Sequence, residues 1–216
     1  YLQLDGMAYK LVPIKTSNRG KSMFDMGRID PEKMLNNVKK WDWKTINNGE
    51  IYLDEQTKRN AISLRNNLMR LSETFLEKGD SINAKDALDL SLYKMPIKDF
   101  GHYSISLGYP ELYYKIGDKE HARSTSATLI DIFQQRLLHY STYSHNDLDL
   151  ILENLDTNLY LYRNVVNQAD KFDPDRAYVE KLQNAFYEHV KLFKHLMPES
   201  TSAEEPEAML MDSILP

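Results

Sequence analysis

The stretch "FLEKGDSINAKDAL", residues 75–88, decides the fold because the chain writes it again as "YKIGDKEHARSTSA", residues 113–126. Phe75 recurs as Tyr113, Gly79-Asp80 as Gly117-Asp118 and Ala84 as Ala122, each 117 − 79 = 38 residues on. Glycine adopts the left-handed conformation that ends a helix, because it has no Cβ to clash. Asp80 or Ser81 restarts one by accepting from its unpaired N–H groups, and alanine lets two helices touch. The repeated phrase reads as a joint between two helices.

Upstream of the joint, Ala61, Leu64, Leu68, Leu71 and Phe75 recur at intervals of 3 and 4, which predicts a helix capped by Asp54 and ended by Gly79. Downstream, Ala84, Ala87, Leu88 and Leu92 line its partner, which stops before Pro96. The second pair runs from Tyr109, Tyr113 and Ile116 through Gly117 to Ala122, Leu129, Ile132, Phe133 and Leu137, with Ser126 where Leu88 stood. Pro110 predicts a kink or a helix start there. After a polar linker, "HYSTYSHND", a third pair places Leu148, Leu152, Leu155, Leu159, Tyr162 and Val166 on one helix. Asp173-Pro174 opens the other, with Val179, Leu182, Phe186, Val190 and Phe193 inward.

Periodic helix pairs of this size follow solenoid logic, each leaving one apolar face for its neighbour to cover. The expected fold is all-α, a tetratricopeptide-like stack of about three antiparallel pairs over residues 54–196; a generic helical bundle is the plainer alternative. Residues 1–53 form a different kind of segment. Tyr1–Leu4 and Met7–Ile14 alternate around Asp5-Gly6 as a hairpin, with Pro13 demoting the second run to an edge strand. Asp30-Pro31-Glu32 opens a short helix with Met34, Leu35 and Val38 inward, and Trp41 and Trp43 pack this strap onto the first long helix. Residues 197–216, rich in Pro, Ser and Glu, read as a flexible tail.

Composition narrows the function. At 42% hydrophobic and 27% charged residues the 216-residue chain is neither a disordered nor a membrane type, and no apolar run spans a bilayer. The net charge of −5 argues against a phosphate-backbone binder, so nucleic acid is not an expected partner. The absence of cysteine removes disulfides, thiolate catalysis and Cys-ligated zinc. The chain opens at Tyr1 without a signal segment and reads as a soluble piece of a longer protein.

No motif carries catalysis. "NRGKS", residues 18–22, has Lys15 where a phosphate loop needs glycine, and reads as a basic surface loop. His102, His121, His139, His145, His189 and His195 include no i, i+4 pair, so no metal site is expected; His145-Asn146-Asp147 reads as a helix cap. Asp86, Asp89, Asp147, Asp149 and Glu153 read as solvated helix faces. Asp80-Ser81-Ile82 and Asp212-Ser213-Ile214 match an acid–hydroxyl–apolar triplet that some bacteria O-glycosylate, although capping suffices to explain Ser81. Of the 14 tyrosines, Tyr103, Tyr109, Tyr113, Tyr140 and Tyr143 are the candidate binding residues, since tyrosine lines peptide and glycan platforms; packing at the core edge is the competing role. No cofactor is expected.

"YLQLDGMAYKLVPIKT", "GRIDPEKM", "YLDEQTKRNAISLRNNLMRLSETFLEKGD" and the Gly117 turn together resemble the C-terminal soluble region of a bacterial family. Its members carry a multi-pass membrane part similar to protein O-mannosyltransferases. The likeness covers most of residues 1–140 and is weaker beyond. It implies a tetratricopeptide-like tail at the periplasmic face of the inner membrane, attached to a glycosyltransferase whose catalytic acid lies in the membrane part. The expected function is a non-catalytic module presenting a helical surface to acceptor protein, glycan or a partner. A free-standing tetratricopeptide-like scaffold is the alternative.

Overall fold

The computed structural model describes residues 1–15, 26–43 and 52–194. The basic loop 18–22, the 197–216 tail, His195 and the triplet at 212–214 lie outside them. The fold is all-α with a small N-terminal sheet, and divides into two compact units, Tyr1–Leu129 and Ile130–Pro216.

The first unit begins with the expected hairpin. Strands β1 (Leu2–Leu4) and β2 (Tyr9–Leu11) pair antiparallel around Gly6, whose φ of 98° lies in the left-handed region. A strand the pattern does not announce, β3 (Arg28–Ile29), joins β1 in parallel, giving the order β2-β1-β3. Two residues carry too little alternation to register as a strand. Helix α1 (Pro31–Lys39) starts as its residues dictate: the Asp30 side chain accepts from Lys33 N–H and Pro31 fills the first position.

Helix α2 (Glu55–Glu77) is capped by Asp54, which accepts from Thr57 N–H at 2.6 Å. Its stripe of Ala61, Leu68, Leu71 and Phe75 meets Leu4, Met34, Leu35, Val38 and Trp43 from the strap and Ala84 and Ala87 from helix α3 (Ser81–Lys94), with Leu64 at the edge. Strap and helices therefore share one core. The expected division at residue 53/54 is not a break in packing, because Leu4, Met34 and Val38 have no exposed surface. Polar anchors reinforce the apolar contact. Asn67 donates to Gly6 O at 2.9 Å, and Arg70 donates to Tyr9 Oη and to the Met26 and Gly27 carbonyls. A Cβ on Gly6 would come within 2.6 Å of the Trp41 ring, so glycine is needed there for space as well as for φ.

After α3 the chain makes two single-turn helices, α4 (Ile97–Phe100) and α5 (Tyr103–Ser106), before α6 (Gly108–Ile116). Pro110 sits in the first turn of α6, where its missing N–H would have had no intrahelical partner, so the helix starts there unkinked. Helix α7 (Lys119–Tyr140) contains the division between the two units.

The second unit holds the end of α7, a 3-10 turn at His145–Asp147, α8 (Leu148–Phe172) and α9 (Arg176–Lys191). Its core gathers Phe133, Leu137, Leu155, Leu159, Tyr162, Val166, Val179, Phe186 and Phe193. Two expectations shift. Leu152 is exposed and Ile151 takes the inward position, because Ile151, Leu155 and Tyr162 follow the 3.6-residue period more closely. Asp173 lies at the end of α8 rather than the start of α9: its carboxylate accepts from Asp175 N–H, and Asp175 caps α9 by accepting from Tyr178 N–H.

Candidate functional site

The two copies of the joint have the same geometry. Gly79 and Gly117 sit at φ 80° and 91°. Gly79 N–H donates to Leu76 O and Asp80 N–H to Phe75 O; Gly117 N–H donates to Tyr114 O and Asp118 N–H to Tyr113 O, all at 2.9–3.0 Å. This pair of crossed bonds satisfies the last carbonyls of a helix. Each aspartate then caps the next helix: Asp80 Oδ1 accepts from Asn83 N–H, Asp118 Oδ1 from His121 N–H. Ala84 and Ala122, the small residues of each copy, have no exposed surface.

One feature distinguishes the second joint. Lys85, from α3, reaches Asp118 Oδ2 at 2.6 Å and Asp89 Oδ2 at 3.2 Å. Asp89 Oδ1 accepts from Tyr113 Oη at 2.7 Å, and the Tyr113 ring stacks on His121 at 5.4 Å with Lys85 Nζ over its face. His121 in turn lies 2.9 Å from Asp118. Five titratable groups from α3, α6 and the start of α7 thus form one network.

The protonation states of this network are held away from neutral pH. Despite partial burial, bonds from Lys85 and His121 hold Asp118 down to about 2. Burial opposes the Lys85 charge, but the two carboxylates outweigh it and raise its pKa. Burial, then the Asp89 carboxylate, push the Tyr113 phenol far upward. A lysine that stays charged is a poor nucleophile, and a carboxylate that stays ionised is a poor proton donor. The arrangement suits an electrostatic clasp between successive helix pairs.

The five candidate tyrosines do not form one surface. Tyr109 and Tyr113 are core residues with 0% and 1% exposure. Tyr109 Oη bonds Ser91 Oγ at 2.5 Å, and burial pushes the phenol up to about 12. A ring with no accessible face cannot stack on a ligand, so packing is the role of both. Tyr103, on α5, is half-buried; Tyr140 and Tyr143, half-buried in the second unit, flank His139 at 5.9 and 5.5 Å. The Asp80-Ser81-Ile82 triplet lies at the exposed start of α3, where Asp80 is the cap and Ile82 is 78% exposed.

The residue that the pattern conceals is Arg65. It lies on α2 with no exposed surface, and its partners are carbonyls and a hydroxyl rather than a carboxylate. Nη1 donates to Gly101 O at 2.8 Å and to Ser106 Oγ; Nη2 donates to Met95 O at 2.8 Å and Pro96 O at 3.0 Å. The guanidinium also lies 5.6 Å from the Phe100 ring centre. One planar fork thereby fixes the path of residues 95–106, including His102 in the left-handed region at φ 51°. Only the interval to Ala61 and Leu68 places Arg65 beside the apolar stripe, and charge usually marks a solvated face.

Among the described residues no group of three acidic or histidine side chains is placed to hold a metal ion, and no helix is long and apolar enough to cross a membrane. Comparison with protein-family models, curated proteins and solved structures finds no match to the chain.

Proposed function

We propose that this chain is a non-catalytic interaction module built on tetratricopeptide-like helix pairs, serving a protein O-mannosyltransferase-like membrane enzyme from the periplasmic side. The observation that carries the scaffold reading is the joint repeated at Gly79 and Gly117 with identical hydrogen bonding, clasped to the preceding pair by Lys85. A chain that reuses a joint and locks it with an ion network is built to hold a surface in place. The association with a glycosyltransferase rests on the resemblance of residues 1–140 alone. Without it the same joint supports a free-standing scaffold for protein partners.

The two readings separate on the coding sequence and on binding. Residues encoded upstream of Tyr1 are expected to include several hydrophobic spans of about 20 residues; a reading frame without them overturns the membrane-enzyme reading and leaves the scaffold. Binding of the 216-residue chain to a glycan array or to purified acceptor protein, with Tyr103→Ala and Tyr143→Ala as surface variants, tests the module itself. Turnover by this chain in a glycan hydrolysis or transfer assay would overturn the non-catalytic reading.

A further inference from the structure

The N-terminal hairpin ends in an open edge. β2 is an outer strand of the sheet, and its register pairs Leu2 with Leu11, Gln3 with Lys10 and Leu4 with Tyr9. The flanking bonds, Val12 N–H to Tyr1 O at 2.8 Å and Asp5 N–H to Ala8 O at 2.9 Å, fix the phase of the ladder. Hydrogen-bonded and non-hydrogen-bonded pairs alternate in an antiparallel ribbon, so Gln3 and Lys10 are a bonded pair. Lys10 directs its backbone groups at β1. Tyr9 and Leu11 direct theirs away from the sheet, presenting two N–H and two C=O groups in strand geometry.

The side chains around this edge are equally available. All three residues of β2 are exposed, Leu11 at 81%, and Met7, Tyr1 and Ile14 nearby are 65%, 62% and 49% exposed. Such an edge pairs with other strands unless something selects among them. Lys10 is the selector. Its ammonium projects between Tyr9 and Leu11 on the opposite face, held by Asp5 at 2.5 Å yet still 47% exposed, and Lys15 adds a second exposed cation just downstream.

We infer that β2 is a strand-addition site for an extended segment of a partner protein in which an acidic residue stands between two apolar ones. The segment pairs its backbone with Tyr9 and Leu11, sets its apolar side chains beside theirs, and places its carboxylate directly opposite Lys10. Residues so opposed have Cβ atoms about 5 Å apart, within ion-pairing reach. A second copy of this chain is the poorer occupant. The two-fold register that engages Tyr9 and Leu11 of both copies sets Lys10 opposite Lys10, and like charges there are destabilising. The site stands independently of the glycosyltransferase reading.

The test uses the full 216-residue chain, isotope-labelled for amide NMR, with two blocked five-residue peptides, Thr-Val-Glu-Val-Thr and Thr-Val-Lys-Val-Thr. The glutamate peptide is expected to shift the Tyr9 and Leu11 amides and to bind at least about tenfold more tightly than the lysine peptide, as loss of an ion pair and its replacement by repulsion imply. Leu11→Pro removes an outward N–H without touching the β1–β2 ladder, so it should leave the thermal melt unchanged and weaken binding about tenfold. Lys10→Glu, which needs no backbone change, should reverse the peptide preference. No binding by either peptide, equal binding of both, or shifts confined to other residues would overturn the inference. So would a concentration-dependent dimer abolished by Leu11→Pro, which would make the second copy the occupant.

Discussion

At the scale of single residues the chain is held by polar groups placed where apolar ones would be expected. Arg65 is the strongest case. Replacing it by Met leaves the Met95, Pro96 and Gly101 carbonyls without their buried donor, and stability should fall by about 3 kcal/mol in urea unfolding. Arg65→Lys should recover only part of this, because an ammonium cannot reproduce the planar fork. Tyr109 separates packing from hydrogen bonding. Tyr109→Phe strands the Ser91 hydroxyl at about 1–2 kcal/mol, whereas Tyr109→Ala opens a cavity at about 3–5 kcal/mol. Asp118 sets an acid limit. Its folded pKa lies below the ordinary 3.8, so its contribution is fully present above that value and is lost as pH falls toward about 2. Asp118→Asn keeps a capping oxygen but not the charge, and should flatten the stability curve between about pH 4 and 2 in acid titration followed by circular dichroism.

At the scale of elements the glycines sort by what surrounds them. Gly79 and Gly117 have positive φ, and a methyl group at either would meet nothing within 4 Å, so Ala there incurs backbone strain alone, about 1 kcal/mol. Gly6 combines positive φ with the Trp41 ring at 2.6 Å, and Gly6→Ala should lower the melting temperature clearly more than the other two. The helix starts are legible wherever a cap stands alone: Asp30, Asp54, Asp80 and Asp118 all accept from the third following N–H. The α9 start is ambiguous because Asp173 and Asp175 both flank Pro174, and sequence alone does not rank two equivalent caps two residues apart. The exchange of Leu152 for Ile151 has a similar origin, since leucine-rich α8 offers more than one apolar stripe.

At the scale of the whole molecule the strap is part of the first unit's interior. Removing residues 1–43 would strip Leu4, Met34, Leu35, Val38 and Trp43 from the α2 stripe, and residues 54–129 should then lose cooperative thermal unfolding. The all-α class, the helix pairs and the repeated joint are readable from the chain alone because periodicity, capping and glycine turns act over a few neighbouring residues. The burial of Tyr109 and Tyr113, the role of Arg65 and the Lys85 clasp are not. They depend on groups far apart in sequence, such as Arg65 with Gly101 across 36 residues, Asn67 with Gly6 across 61 and Lys85 with Asp118 across 33. Local pattern tells a helix which face is apolar. Which polar or aromatic side chains that face will enclose is settled when distant segments meet, because a tyrosine or an arginine can be stabilised in water or in the interior according to the partners it finds there.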